Sequence, residues 1–281
     1  MQLEERKLKE IEHSDRRRSI VTACEYLSDA SDGDQCVDYV QDSEAYKEHF
    51  SNIKYYSISQ KSFAYRDKLL YPNVKGKKVL DWCCGNGEIG VEMAKHGARE
   101  IHGVDISSVA IKNAAALAEK NHVGSKCHYA VMDAENMEYD DNSFDIIHEY
   151  GALHHVDLEA AYAETSRVLK PSGKFICTEA MRHNPLIHAY RKKTPTVRTE
   201  WEVEHILGVP EIKLGKKYFK KVKIRHFHLA AIAAVPFRRT PIFKPLLAGL
   251  NLIDTILLRI PYFRRLSWVA VIEFSSPRPQ K

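Results

Sequence analysis

The feature that most constrains the fold is the segment of residues 79–90, where a short apolar run leads through an acid into closely spaced glycines. The run ends at Asp81, and Gly85 and Gly87 follow before a helical pattern begins at Ile89. Glycine is needed where the backbone turns tightly and a ligand approaches without Cβ atoms in the way. The segment therefore predicts a strand, a ligand-binding turn and a helix.

Downstream of Lys77, short apolar runs alternate with helical patterns, which predicts βαβ units and a parallel sheet. Five strands are predicted first, at residues 77–82, 101–104, 128–132, 144–148 and 174–179, and two later ones at 222–227 and 268–274. Helices are predicted at residues 89–96, from Ser107 or Ser108 to about Lys120, and at 158–169. The sequence thus predicts a doubly wound α/β domain.

The chain before this domain is predicted to be an extension. A short amphipathic helix is expected around Leu8 and Ile11, followed by an acidic loop at residues 28–42. The N-terminus is charged from Glu4 onward, so no signal peptide is expected, and no uncharged apolar run reaches the roughly 18 residues that span a bilayer. Six cysteines form no metal-binding spacing, so no metal and a reducing, cytoplasmic setting are expected.

Basic residues are concentrated in the C-terminal part of the chain. The net charge is +5, and Asp254 is the only acid between Lys213 and Arg265. Such a stretch attracts phosphate, anionic lipid or an acidic substrate, or it is a solvated face. Residues 229–266 also mix apolar runs with paired arginines, which predicts a helical lid, with peripheral membrane contact as the alternative.

The position of Asp81 distinguishes between two kinds of ligand. Gly85, Gly87 and Gly90 fit the G-x-G-x-x-G pattern of a dinucleotide site, in which the glycines follow the strand directly and the helix N-terminus receives a pyrophosphate. Here a carboxylate ends the strand and would repel a pyrophosphate. It suits a ligand that has an ammonium group and no phosphate, and S-adenosylmethionine is such a ligand.

Residues 79–90 resemble the first motif of the class I S-adenosylmethionine-dependent methyltransferases of the small-molecule type. The resemblance continues in order through residues 103–106, 132–135, 145–156 and 167–174. It implies a Rossmann-like, mostly parallel sheet of seven strands with the last one antiparallel, an N-terminal helical extension and a C-terminal helical lid. The expected division is a cap at residues 1–70, a cofactor-binding core at 71–181, and an acceptor-site insert with lid helices and last strands at 182–281.

The resemblance also implies which residues bind the cofactor. Asp105 would hold the ribose hydroxyls, Asp133 would meet the adenine amine, and the backbone of Ala134 would read the ring. Cys83 stands where glycine is commoner in the family, which bears on how closely a ligand approaches. The full expected set is Asp81, Cys83, Gly85, Gly87, Asp105, Ile106, Asp133, Ala134 and Glu149, with Tyr55 and Tyr56 closing from the N-terminal side.

Methyl transfer needs a base only when the acceptor atom carries a proton. His154 and His155 follow strand four, and a histidine with a pKa of about 6.5 could accept that proton. The alternative is a structural histidine pair. The insert after strand five is expected to contact the acceptor or, alternatively, to form ordinary surface helices; its candidate residues are His183, Tyr190, Arg198, Glu202 and His205.

We therefore expect methyl transfer to a small-molecule acceptor, more to oxygen than to carbon or nitrogen, on a fairly apolar molecule. A nucleic-acid methyltransferase is one alternative. The basic residues are not interleaved with aromatic ones as a stacking platform, so nucleic acid is not expected as the partner. A non-catalytic S-adenosylmethionine-binding protein is the other alternative, and no sequence feature excludes it.

Overall fold

The computed structural model describes residues 4–27, 52–194 and 198–279, so the acidic loop expected at residues 28–42 lies outside the described residues. Seven strands form one sheet in the order β3-β2-β1-β4-β5-β7-β6. Their bounds are β1 Lys78–Trp82, β2 Glu100–Asp105, β3 Cys127–Val131, β4 Phe144–Tyr150, β5 Leu169–Ala180, β6 Phe219–Phe227 and β7 Val269–Pro277.

The strand directions confirm the doubly wound, mostly parallel sheet. β1 to β5 pair in parallel, whereas β7 lies antiparallel between β5 and β6. Asp81 of β1 pairs with Gly103 of β2 and with His148 of β4. The carboxyl ends of these strands therefore lie at one edge of the sheet.

Ten α-helices lie within the described residues. They are α1 Glu5–Leu27, α2 Gln60–Leu70, α3 Glu88–Lys95, α4 Ser108–Lys120, α5 Leu158–Val168, α6 Pro185–Lys193, α7 Glu200–His205, α8 Val209–Leu214, α9 Phe243–Leu257 and α10 Pro261–Arg264. Ser107 caps α4, because its side chain accepts a hydrogen bond from the amide of Ala110. None of the helices in the described ranges combines the length and the apolar character needed to cross a membrane.

β5 begins earlier than predicted. Its first residue, Leu169, follows α5 directly and pairs with Phe144, and the register then shifts so that Lys174 pairs with Ile146. Residues 170–173 form the irregularity between these two pairs, which is where Pro171 and Gly173 are tolerated in a strand.

Side chains that alternate along β1 enter two different core layers. Leu80 and Trp82 pack with Phe175 on one face, while Val79 packs with Ile101 on the other. A third apolar cluster joins Trp268 at the start of β7 to the 3-10 helix Ala230–Phe237 and to α9. Both faces of the central sheet are covered. The edge at which its strands end is therefore where a site can form.

Candidate functional site

A cavity of about 640 Å³ lies at the carboxyl ends of the central strands. Its lining comes from β1, β2 and β4, from α1, from residues 52–66, and from α6 and α7. Chain connections diverge to opposite sides of the sheet between β1 and β4, and ligands of open α/β sheets bind at such a point.

The turn after β1 is built on left-handed backbone conformations. Gly85 and Gly87 have φ angles of 55° and 78°. A Cβ atom at Gly87 would lie 2.8 Å from the Cβ of Ala114, so only glycine fits there. Cys83 has a φ of 54°, a conformation that glycine adopts without strain. Cys83 and Gly85 line the cavity, whereas Gly87 does not line it and lies against Ala114.

Asp105 links this turn to the end of β2. Its Oδ2 accepts a hydrogen bond from the Gly85 amide at 3.0 Å, and its Oδ1 accepts one from the Ser107 amide at 2.9 Å. Each carboxylate oxygen can accept a further hydrogen bond. Asp105 and the neighbouring Ile106 both line the cavity, where they can contact a ligand with hydroxyl groups.

Asp81 lies at the base of the cavity and forms a pair that the sequence analysis missed. Its Oδ1 lies 2.8 Å from Nδ1 of His148, and both side chains are buried. Within the described part of the chain, Oδ2 of Asp81 and Nε2 of His148 are buried without a hydrogen-bond partner. The two residues are direct register partners on the neighbouring strands β1 and β4, a relation that requires the strand order.

The expected adenine-binding segment contacts α1. Oδ2 of Asp133 accepts a hydrogen bond from Nζ of Lys7 at 2.7 Å, and Arg6 pairs with Glu135 at 2.7 Å. The carbonyl of Ala134 accepts a hydrogen bond from Nε1 of Trp82 at 3.1 Å. These contacts place α1 along the cavity rim, which its sequence pattern did not indicate.

Glu149, which was predicted to bind the cofactor, is not among the residues that line the cavity. It is fully buried, and its Oε1 accepts a hydrogen bond from the Ala152 amide. Burial, together with the charge of Glu179, raises the pKa of Glu149 well above its usual range. Burial also raises the pKa of Glu179 to about 7. The pair holds a proton near neutral pH instead of carrying two charges.

The histidine pair lies on the cavity wall, and each ring is held by a glutamate. Nδ1 of His154 lies 2.8 Å from Glu179, and Nδ1 of His155 lies 2.8 Å from Glu10. Burial lowers the pKa of His154, so that ring is neutral at pH 7. A neutral imidazole oriented through Nδ1 can accept a proton at Nε2.

The fold also brings together a group that the cysteine and histidine spacing did not predict. Ligand atoms of His154, His155 and Glu202 lie within 4.8 Å of one another. Two imidazoles and a carboxylate could hold a divalent metal ion. Glu202 also pairs with Arg198, whose Nε lies 3.0 Å from its Oε1.

The expected acceptor residues divide into two groups. Tyr190, Arg198 and Glu202 line the cavity. His183 and His205 are not brought to it, and the geometry does not support an acceptor role for them. His205 stacks on Trp201 at a centroid distance of 3.6 Å, and His183 lies beside Arg182.

Tyr55 and Tyr56 also line the cavity. The ring of Tyr55 lies 4.9 Å from that of Tyr190 and 5.7 Å from that of Trp268. Sequence reasoning missed Arg191, which is buried and lines the same wall. A signal existed, since Arg191 follows the buried Ile187 by four residues on one face of α6.

Comparison with known proteins supports a family relationship. Residues 73–226 match the family model described as a methyltransferase domain. The chain is 33% identical over 131 residues to sterol 24-C-methyltransferase ERG6B of Gibberella zeae, covering 45% of this chain and 34% of that protein. It is 32% identical over 106 residues to 27-O-demethylrifamycin SV methyltransferase of Amycolatopsis mediterranei, covering 37% and 39%. The aligned part thus spans well under two thirds of either relative.

Solved structures share the fold. Phosphoethanolamine N-methyltransferase 2 of Haemonchus contortus, in complex with phosphomonomethylethanolamine and S-adenosylhomocysteine, matches with a TM-score of 0.55 at 19% identity, covering 81% of this chain and 57% of that one. The PH0226 protein of Pyrococcus horikoshii matches with a TM-score of 0.52 at 19% identity, covering 86% and 99%.

Proposed function

The chain belongs to the class I S-adenosylmethionine-dependent methyltransferases, and from that premise we propose that its cavity binds S-adenosylmethionine and that it methylates a small molecule. The observation that carries the proposal is the hydrogen bond between the Asp105 carboxylate and the glycine turn. The carboxylate lies at the end of β2, is tied to Gly85, and still lines the cavity with capacity for hydroxyl donors.

The residues around this hydrogen bond fit the cofactor. Gly85 lines the cavity in a left-handed conformation that favours glycine, and Asp81 supplies an acidic group near the same turn. When bound, S-adenosylmethionine supplies a methyl group that is already electrophilic. The protein then mainly has to orient the acceptor, and alignment of this kind contributes much of a rate enhancement.

A hydroxyl oxygen is the acceptor atom that this site favours. His154 is neutral at pH 7 and held through Nδ1 by Glu179, so its Nε2 is available for the proton that a hydroxyl must lose. The relatives named above carry sterol, rifamycin and phosphoethanolamine in their names, which favours a small-molecule acceptor over nucleic acid. The charged side chains of Arg191, Arg198 and Glu202 in the wall suit a polar acceptor better than the apolar one expected from the sequence.

Binding of S-adenosylhomocysteine tests the core of the proposal. Isothermal titration calorimetry should detect S-adenosylhomocysteine binding and no NAD binding. Asp105→Asn should weaken the binding of S-adenosylhomocysteine by roughly 1.5–3 kcal/mol for each lost hydrogen bond to the charged carboxylate. The matched control is Asp140→Asn, the same change at an exposed residue outside the cavity.

Two results would contradict the proposal. One is tight NAD binding by the unaltered protein. The other is an Asp105→Asn protein that keeps full S-adenosylhomocysteine affinity while melting at the wild-type temperature, because the ribose assignment would then be wrong.

A further inference from the structure

The side chain of Arg191 is unusual among the cationic groups of the cavity. It projects from α6 and is only 8% exposed, yet it lines the cavity. Its Nη1 donates a hydrogen bond to the carbonyl of Met181 at 3.1 Å. A guanidinium has five N–H donors, so most of its hydrogen-bonding capacity is left after this contact.

No carboxylate of the described residues lies within 4.0 Å of the Arg191 guanidinium. Glu202 lies on the same wall but pairs with Arg198 at 3.0 Å and faces His154 at 3.8 Å. Glu179 lines the same cavity, but its Oε2 lies 2.8 Å from Nδ1 of His154 and holds that ring. Arg191 therefore carries a buried positive charge that no anion of the described residues pairs with.

Such a charge is costly. An ion removed from water loses hydration, and the cost is offset only by an opposite charge with good hydrogen-bond geometry. Burial and the neighbouring Arg198 lower the pKa of Arg191 to about 10, which leaves it charged at neutral pH. The wall therefore attracts an anion of the kind that a guanidinium binds in a forked, bidentate way.

We propose that Arg191 binds an oxyanionic group of the acceptor, a carboxylate or a phosphate, which defines the substrate class of this enzyme. The inference rests on the proposed function, because it assigns this wall to the acceptor. The neighbouring Arg198 is paired with Glu202 at 3.0 Å, so the proposal assigns the anion to Arg191. The aromatic rings of Tyr55, Tyr190 and Trp268 form an adjoining surface, which suits the carbon part of the acceptor.

The proposed anion site shares the cavity with the proposed base. The charge of Arg191 acts on His154, and both residues line the same cavity. An acceptor held by Arg191 would therefore present its body to the imidazole that removes the proton. Binding energy from a group that does not react would then serve to orient the group that does.

The competing explanation is that Arg191 serves only to fix the Met181 carbonyl. The two explanations differ in what happens when the charge is removed. A structural arginine should leave the protein less stable in every buffer when it is replaced by glutamine. An unpaired anion receptor should lose little stability in chloride, because a costly buried charge disappears with it.

The test uses the full chain saturated with S-adenosylhomocysteine, and thermal unfolding is followed in sodium chloride, acetate or phosphate at equal ionic strength. An anion at about ten times its dissociation constant should raise the Tm by roughly 2–5 °C above the value in chloride. Wild type and Lys192→Gln, which removes an exposed charge from the same helix, should show this rise. Arg191→Gln should not. A rise with acetate alone identifies a carboxylate site, and a rise with phosphate alone a phosphate site.

General stabilisation by phosphate acts on all variants alike, so the readout is the difference between Lys192→Gln and Arg191→Gln. Arg191→Lys keeps the positive charge but loses the bidentate guanidinium, so it should retain part of the increase in Tm. It also keeps the test informative if the glutamine variant fails to fold. Equal responses of all variants would overturn the anion site, as would a loss of stability by Arg191→Gln that is the same in all three salts.

Calorimetry on the same preparations separates the two proposals. Absent S-adenosylhomocysteine binding contradicts the proposed function, whereas intact binding with no anion-specific difference contradicts the anion site alone.

Discussion

At the scale of single residues, Cys83 has the left-handed backbone conformation of the turn after β1 although it is not a glycine. Its φ of 54° is uncommon for a residue with a side chain, and such conformations cost on the order of 1 kcal/mol. The side chain packs against the core on one side and lines the cavity on the other. The strain is thus balanced by contacts that glycine would not make.

His154 is the residue on which the proposed chemistry depends most. His154→Ala should lower kcat by about 10²–10⁴-fold with any hydroxyl acceptor that supports turnover, and S-adenosylhomocysteine affinity should hardly change. The rate of the wild type should rise with pH through a pKa below 6.5, since burial lowers the pKa of this imidazole and only its neutral form accepts a proton. A pH–rate profile and calorimetry on the same preparations provide the measurement.

His155 offers a matched comparison, because it is adjacent and is held by Glu10 in a similar way. If His154→Ala and His155→Ala both retain kcat within a few-fold, neither histidine is the base. Catalysis would then rest on alignment alone, which favours an acceptor that is nucleophilic without losing a proton.

At the scale of elements, α9 and α10 present an apolar surface that the rest of the described chain does not cover. Leu252 and Ile256 on α9 are 66% and 61% exposed. Further large apolar residues on this surface are Ile242, Ile253, Ile260 and Tyr262, and the surrounding basic residues are Arg238, Arg239, Lys244, Arg259, Arg264 and Arg265. Asp254 does not offset this charge at the surface, since it is buried and accepts hydrogen bonds from the amides of residues 229–231.

From this surface we predict that residues 229–266 contact a membrane, which was the alternative to a helical lid in the sequence analysis. Exposed apolar side chains beside arginines match the composition of interfacial helices. The protein should co-sediment with vesicles containing phosphatidylglycerol, and binding should fall with salt because surface charges are screened within about 8 Å at 0.15 M. Ile256→Asp should reduce binding, whereas Leu186→Asp, at a residue 60% exposed on α6, should not.

Two outcomes would count against membrane contact. Binding that is equal for neutral and anionic vesicles would remove the role of the arginines. Absence of vesicle binding together with a concentration-dependent dimer would assign the surface to a second copy of the chain instead.

At the scale of the whole molecule, α1 is joined to the catalytic core mainly through charges. No side chain from residue 4 to residue 19 is classed as buried. Lys7 contacts Asp133 at 2.7 Å, Glu10 contacts His155 at 2.8 Å, and Asp15 contacts Ser107. No side chain of residues 4–19 belongs to the three apolar core clusters, so α1 should open more easily than the sheet.

Cofactor binding should therefore be visible in α1. Since Arg6, Lys7 and Arg18 line the cavity, S-adenosylhomocysteine should slow amide hydrogen exchange across residues 5–19, and high salt should speed it in the free protein. Exchange measured by mass spectrometry tests this. Protection of the turn after β1 without any change in α1 would show that α1 takes no part in closing the cavity.

Much of the fold follows from interactions between residues close in the chain. The glycine turn, the Ser107 cap and the alternation of apolar strands with helices are local patterns, and the boundaries predicted from them agree with most elements to within a few residues. The position of Asp105 at a strand end could be predicted for the same reason. The start of β5 could not, because it depends on pairing with Phe144.

The contacts that define the chemistry depend on the tertiary structure. The sequence by itself determined the class of fold, the turn after β1 and the acids at the strand ends, because these follow from backbone geometry over a few residues. Only the tertiary structure decided that Glu10 meets His155 across 145 positions, that Glu179 meets His154, and that His183 and His205 do not line the cavity. That Arg191 is buried was likewise decided by the tertiary structure. The cost of a buried charge depends on every group around it, and those groups come together only when distant segments pack against one another.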